Sequence, residues 1–185
     1  MEEIFVKKIR VLTPQEYDSL LHFINKPVNR KRFLILFWTG MRYAELQRFH
    51  DSPDWYLKSR NVIHIPAEGQ KKKKRSQVER VIHPLPELMR EIIDGFHKDP
   101  RPPTLQAWND NLKRWSVKTG MSDKGMSAKT TRKTIESWMV VAGVPLNQVY
   151  LRQGHNELTS LIHYQGLHFT PSEKEEIKRR LSFVV

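Results

Sequence analysis

Between Gly154 and Tyr164 the chain reads Gly-His-Asn-Glu-Leu-Thr-Ser-Leu-Ile-His-Tyr, which sets His155 and Tyr164 nine residues apart. A phenol is a weak nucleophile at neutral pH, its reference pKa being about 10. It attacks effectively where cations and hydrogen-bond donors hold the electrophile and take up the charge of the transition state. Suitable cations stand at three other places. Arg42 follows a glycine turn in Thr39-Gly40-Met41-Arg42-Tyr43-Ala44-Glu45-Leu46, and Glu45, three residues on, can fix its rotamer. Lys71, Lys72, Lys73, Lys74 and Arg75 form one unbroken cationic run. Lys129 and Arg132, three apart, share a face near the start of a helical pattern, where backbone N–H groups also favour an anion. Each group alone has an ordinary explanation: a salt-bridged surface arginine, a solvated lysine loop, or solvated charges at a helix end.

The composition says what kind of partner such cations serve. Thirty-two Lys and Arg against 20 Asp and Glu give a net charge of +12 and a pI near 10.0, which implies a polyanionic partner. Nucleic acid fits best. A cationic membrane-surface protein is the competing class, but no long apolar run or Lys-rich amphipathic helix with a clean apolar face appears. The chain has no cysteine, so disulfides, zinc–thiolate sites and thiol chemistry are excluded. The start, MEEIFVKKIR, lacks the apolar centre of a signal peptide, and no run of about 18 apolar residues is present to span a bilayer. A soluble intracellular protein of one domain is the expectation for 185 residues.

The elements that must position these groups are legible as a series of helices around one hairpin. After a short polar lead, Thr13 is an N-cap, Pro14 occupies the first helical position and Glu16 closes a capping box. Tyr17, Leu20, Leu21 and Ile24 give that helix its buried face, and Pro27 ends it. A strongly apolar helix from about Arg30 to Trp38 is stopped by Gly40, and Arg42 then sits on the first turn of a short helix. Val62 to Pro66 and Arg80 to Leu85 read as two strands of a hairpin, with the cationic run at its tip. Helices follow at Glu87–Lys98, with Leu88, Ile92 and Phe96 facing inward, and after Thr104, with Leu105, Trp108, Leu112 and Trp115 as a core stripe. Ser127 opens the helix that carries Lys129 and Arg132 and stops at Gly143. Pro145 starts a short helix ending before Gly154, and Thr170 to Glu173 is a second capping box opening a charged helix. The fold class expected is α+β, mainly α with a small antiparallel β-sheet.

Taken in order, these boxes resemble the catalytic domain of the tyrosine recombinases, the phage-integrase family. Thr-Gly-Met-Arg-Tyr-Ala-Glu-Leu is similar to the family's first box, and Gly-His with a tyrosine nine residues later is similar to its last. The resemblance covers nearly the whole chain: a lead at 1–12, a catalytic domain at 13–169, and a C-terminal helix at 170–185 that docks on its own domain or on a neighbouring protomer. It implies the integrase catalytic-domain fold and a site-specific recombinase that breaks and rejoins double-stranded DNA through a 3′-phosphotyrosyl link. By that resemblance Arg42 and Arg132 clamp the scissile phosphate, His155 donates a hydrogen bond to it, Tyr164 attacks it, and a hairpin lysine, Lys72 or Lys74, protonates the leaving 5′ oxygen. Lys71, Lys73 and Arg75 are then DNA contacts. Phosphoryl transfer agrees independently, because two bidentate guanidinium groups compensate equatorial charge without a metal.

Two departures from the family pattern stand out. Lys129-x-x-Arg132 replaces the usual His-x-x-Arg, a variant similar to integrases of archaeal viruses and plasmids, and a lysine cannot shuttle protons near neutral pH as histidine does. The family usually has an N-terminal clamping domain, whereas about a dozen residues precede Thr13 here, so the chain is either a piece of a longer integrase or a catalytic domain working alone; without a clamp, weak, steeply salt-dependent DNA binding is expected. The resemblance implies no cofactor, ATP or metal; His163 and His168 accompany His155, but their spacing matches no common metal site. It also implies a homo-oligomer on DNA, a monomer in isolation, no membrane partner, and a cytoplasmic location on DNA. A type IB topoisomerase and a DNA-binding module that has lost catalysis are the alternatives.

Overall fold

The computed structural model describes residues 2–67, 79–154 and 167–184. The segment expected as a polar lead is instead a β-hairpin, β1 (Ile4–Val6) paired antiparallel with β2 (Ile9–Val11). Ile4, Val6 and Val11 are buried, and the alternation is too short to show above the noise of the sequence. Its turn, Lys7-Lys8, also lacks the Asn-Gly chemistry that announces a hairpin.

Helix α1 (Pro14–Phe23) begins as its sequence dictates, Thr13 accepting from the Glu16 amide at 3.3 Å while Glu16 accepts from the Thr13 amide at 2.9 Å. Pro27 does more than end it. With φ already fixed, it opens α2 (Pro27–Thr39), three residues ahead of the expected start at Arg30. Gly40 caps α2 in the left-handed region at φ 62, and α3 (Tyr43–Asp51) follows with Arg42 as its N-cap rather than inside its first turn. The expected hairpin forms as β4 (Val62–Ile65) and β5 (Arg80–Ile82) in antiparallel register, and a two-residue β3 (Tyr56–Leu57) extends it to three strands in the order β3-β4-β5.

In α4 (Met89–Phe96) the inner face is Met89, Ile93 and the expected Phe96, with Ile92 partly buried against the core beside them, while Leu88 is exposed and precedes the helix. In α5 (Leu105–Lys118), capped by Thr104, the core stripe is Trp108, Leu112 and Trp115, while Leu105 in the first turn is half exposed. Helix α6 starts at Thr130, not Ser127, and runs to Ala142, with Lys129 as its N-cap. Then come α7 (Leu146–Gln153), stopped by Gly154 at φ 62, and α8 (Pro171–Arg180), opened by the Thr170–Glu173 capping box.

Helix α6 is the axis of the core, packing against α2, α7, α8 and β2. Trp138 is wholly buried, its ring 5.1 Å from Phe37 and 5.7 Å from Tyr17, and its indole N–H donates to the Leu12 carbonyl at 2.9 Å. The Leu12 amide in turn donates to Thr134 at 3.0 Å, so the hairpin end is bonded to α6. On the far side α8 buries Ile177, and Arg180 makes a bidentate pair with Asp18 of α1 at 2.7 and 2.8 Å. The described architecture is therefore mainly helical with small antiparallel sheets, as expected. Among the described residues no helix is long and apolar enough to cross a membrane.

Candidate active site

The end of α2, the start of α3, strand β5, the first turns of α6 and the last turn of α7 meet at a cluster of arginines. Its centre is Glu45, only 1 % exposed. One carboxylate oxygen accepts from the Arg42 guanidinium at 2.7 Å; the other accepts from the Arg42 amide at 2.8 Å and from Arg80 Nη2 at 2.7 Å. Arg80 Nη1 continues to the Gln153 carbonyl at 3.0 Å. Arg132 Nη2 donates to that same carbonyl, and its Nη1 donates to the Gly40 carbonyl at 2.6 Å. Gly40 lies two residues before Arg42, so the chain of contacts closes into a ring: Gly40, Arg132, Gln153, Arg80, Glu45, Arg42.

Local sequence makes this closure possible. A side chain at Gly40 is barred twice, by φ 62 and by an ideal Cβ only 2.3 Å from the Gln153 amide nitrogen. Strand alternation turns Arg80 inward on the same face as Ile82, opposite Ile65 in register, and leaves Val81 outside. Arg152 fastens the layer behind the ring, donating to the Pro84 carbonyl at 2.8 Å and the Trp38 carbonyl at 2.7 Å.

The electrostatics are lopsided. Burial by itself raises the Glu45 pKa, but the attraction of Arg80, then Arg42 and Arg132, outweighs it and holds the carboxyl at about 2. Three guanidinium charges thus face Glu45, while the buried Glu136, which pairs with Lys133 at 2.8 Å, acts on Arg132 from α6. The excess is felt by the most enclosed of them: burial, then repulsion from Arg80 and Arg42, pushes Arg132 down to about 9, against the pull of Glu45 and Glu136. Arg132 still carries its charge at neutral pH. A site with surplus positive charge and fixed guanidinium groups favours a bound anion, and Arg42, whose side chain is 22 % exposed, is the member open to solvent.

Arg42 and Arg132, 90 positions apart in the sequence, are thus brought together around one carboxylate. Lys129 is not drawn into the ring. It is exposed at the α6 N-cap and lines a different hollow with Lys8, Lys113 and Lys124, so the helix face it was expected to share with the buried Arg132 is split between surface and core. Tyr164, His155, His163, Lys71, Lys72, Lys73, Lys74 and Arg75 lie outside the described residues. Among the described residues no three His, Cys, Asp or Glu side chains gather to hold a metal. Arg80, Arg152 and the Gln153 carbonyl escaped the sequence reading. The signal for Arg80 was present, since a strand reading Arg-Val-Ile with Ile inward must also turn its arginine inward.

No curated protein matches the chain. Solved structures of similar fold include the Tn1549 transposon integrase in complex with transposon right end DNA, at TM-score 0.69 and 19 % identity over 98 % of this chain and 69 % of that one. XerA recombinase matches at TM-score 0.64 and 14 % identity, over 92 % of this chain and 64 % of its own. XerH site-specific recombinase bound to difH substrate matches at TM-score 0.61 and 19 % identity, over 90 % of this chain and 52 % of its own. The sequence model of the phage integrase family matches residues 10–170, a span that takes in Arg42, Glu45, Arg80, Arg132 and Gln153, and the chain belongs to that family.

Proposed function

We propose that the chain is the catalytic part of a site-specific DNA recombinase that cleaves and rejoins strands through tyrosine. The Tyr164 oxygen attacks the scissile phosphorus as the bond to the 5′ oxygen breaks, and the phenol gives up its proton to solvent water. Lys72 or Lys74 protonates the departing 5′ oxygen. A 3′-phosphotyrosyl link remains, and attack by a free 5′ hydroxyl reverses the step with no external energy source. Arg42 and Arg132 take up the charge of the phosphoryl oxygens, and His155 donates a further hydrogen bond.

The observation that supports this reading most is the arginine ring. It concentrates positive charge on a buried carboxylate that neutralises only part of it, and it fixes the guanidinium groups before substrate arrives. Preorganised donors of this kind suit a reaction whose main demand is positioning and charge compensation. The DNA-bound state of the Tn1549 and XerH relatives supports duplex DNA as the partner. Lys71, Lys73 and Arg75 add sequence-independent phosphate contacts, and assembly on DNA as a homo-oligomer follows from the same reading. Lys129 takes the place of a histidine, in the manner of archaeal virus and plasmid integrases, as a phosphate contact with no proton-shuttling role.

The test is covalent trapping on a nicked suicide duplex, read on a denaturing gel. The parent chain forms a protein–DNA adduct, and Tyr164→Phe forms none while binding the duplex with nearly unchanged affinity. Equal trapping by both removes Tyr164 from the nucleophile's role. No adduct from the parent, with binding intact, leaves a DNA-binding module, and relaxation of supercoils at no preferred site indicates a topoisomerase.

A further inference from the structure

A second cationic surface lies away from the arginine ring. A hollow of about 670 Å³ is lined by Lys8 at the tip of the β1–β2 hairpin, Lys113 of α5, Lys124 of the loop before α6, and Lys129 at the α6 N-cap. Three separate segments thus deliver the four lysines, Lys124 and Lys129 coming from the one stretch that leads into α6. All four are exposed, and among the described residues none is in an ion pair. Four lysines elsewhere are matched, Lys31 with Asp99, Lys58 with Asp94, Lys133 with Glu136 and Lys178 with Glu175, while Lys7, Lys26, Lys98, Lys118 and Lys174 are scattered without an ion pair among the described residues. The one carboxylate in the lining is Asp123.

The hairpin tip carries an independent sign of function. Lys7 and Lys8 both have positive φ, 47° and 65°, in a two-residue turn where Asn and Gly sit without strain. A non-glycine pair held there sacrifices stability for the side chains it presents. The tip is also held in place. The Arg10 amide donates to the Gly125 carbonyl at 3.1 Å, and Gly125, at φ 72, packs so closely that a Cβ would lie 2.8 Å from the Lys8 carbonyl and 2.9 Å from the Arg10 amide. Arg10 is itself anchored by Glu3 at 2.6 Å and by Glu16. The Asn109 side chain accepts from the Ala128 amide at 2.8 Å, which fixes α5 against the loop that ends at α6.

We infer that this hollow is a preformed cradle for the phosphate backbone of the DNA duplex, separate from the phosphate that the arginine ring engages. The inference rests on the DNA-cleaving reading and adds to it where affinity comes from. Compact ammonium groups that are in no ion pair among the described residues, Lys124 also lying 5.4 Å from the centre of the Phe5 ring, suit phosphates read by charge and not by base sequence. Its position at the other face of the α6 start accounts for Lys129 standing outside the ring.

The experiment measures duplex affinity of the full chain against salt concentration by fluorescence anisotropy. A triple variant, Lys8→Gln, Lys113→Gln and Lys124→Gln, removes three cations while leaving the arginine ring untouched. Each lost phosphate contact lowers the slope of log K against log salt by about 0.9, so the slope falls by about 2.7 and affinity at 0.1 M salt by on the order of 10²-fold. A control triple of exposed lysines elsewhere, Lys26→Gln, Lys118→Gln and Lys174→Gln, keeps the parent slope. Trapping on the suicide duplex at saturating DNA stays at the parent level. A triple variant that keeps its slope, or a control that loses as much, overturns the cradle, as does binding of inorganic phosphate by the hollow with the DNA slope unchanged. Failure of the parent to be trapped at all counts against strand cleavage, and the slope comparison still decides the cradle. A single variant closes the argument: Lys8→Gly relieves the turn and raises Tm while lowering the slope by about 0.9. A raised Tm with an unchanged slope overturns the role given to Lys8.

Discussion

Glu45→Gln keeps the size of the side chain and removes the single negative charge inside the arginine ring. In the parent the carboxyl pKa falls from 4.5 to about 2, so its ionised form is favoured on folding by about 3 kcal/mol, each pKa unit being worth about 1.4 kcal/mol. The amide replaces one acceptor oxygen by an NH₂ group that must face a guanidinium or a backbone N–H, donor against donor. Breaking a buried charge pair in this way costs about 3–5 kcal/mol, which brackets the first figure. Urea unfolding at pH 7 measures the loss directly, at constant m-value. Its pH dependence tests the cause. The folded pKa lies below the unfolded one, so this stabilisation is fully present above pH 4.5 and disappears as pH falls toward 2. About 2 of the 3 kcal/mol are gone by pH 3, while the variant has no such carboxyl to titrate. The gap between parent and variant therefore narrows by about 2 kcal/mol between pH 5 and pH 3, and taking the difference cancels every carboxylate the two chains share. A gap that stays constant over that range refutes the account of Glu45 as the counter-charge of the ring.

Arg80→Met keeps the buried stem of β5 but cuts the link from Glu45 to the Gln153 carbonyl; strand cleavage at saturating DNA should fall about 10²-fold, with binding little changed, as measured by the rate of covalent trapping. Arg80→Lys, which cannot span both partners, should restore little of that rate. Gly40→Ala forces a Cβ against the Gln153 amide at positive φ and should lower stability by more than about 2 kcal/mol in urea. Gln153→Met should go the other way: both amide atoms of Gln153 are buried without a hydrogen-bond partner among the described residues, so an apolar side chain of similar length gains about 1–3 kcal/mol while its backbone carbonyl still receives Arg80 and Arg132.

The parts of the fold that depend on near neighbours were legible. Thr13 and Thr170 announce their helices because a capping box is complete within four residues, and Gly40 and Gly143 announce the stops because only the backbone conformation at that residue is at issue. Arg42 with Glu45 was legible for the same reason, a contact three residues long. What failed were faces and phases. In α4 Met89 and Ile93 are the most buried, one position on from Leu88 and Ile92, a turn of about 100° that leaves Ile92 partly buried and Leu88 outside. The β1–β2 hairpin failed because its turn breaks the local rule, and it does so at the two lysines that a local reading treats as mere surface charge.

The candidate site divides along the same line. Arg80 meets Glu45 from 35 positions away, and Arg132 meets Gly40 from 92, so nothing within one segment could reveal that a strand residue holds the two arginine boxes together. Arg80 on β5 and Arg132 on α6 both point inward, Arg132 against the face it was expected to share with the exposed Lys129, and an arginine driven inward must find oxygen. With few buried carboxylates within reach, the oxygens found are Glu45 and the carbonyls that end α2 and α7, each freed because its helix stops there. Helix ends that leave carbonyls unpaired, and glycines that place those ends side by side, are thus what allow three guanidinium groups to be packed around one carboxylate. In the proposed function, the surplus charge that remains is the property an incoming phosphate exploits.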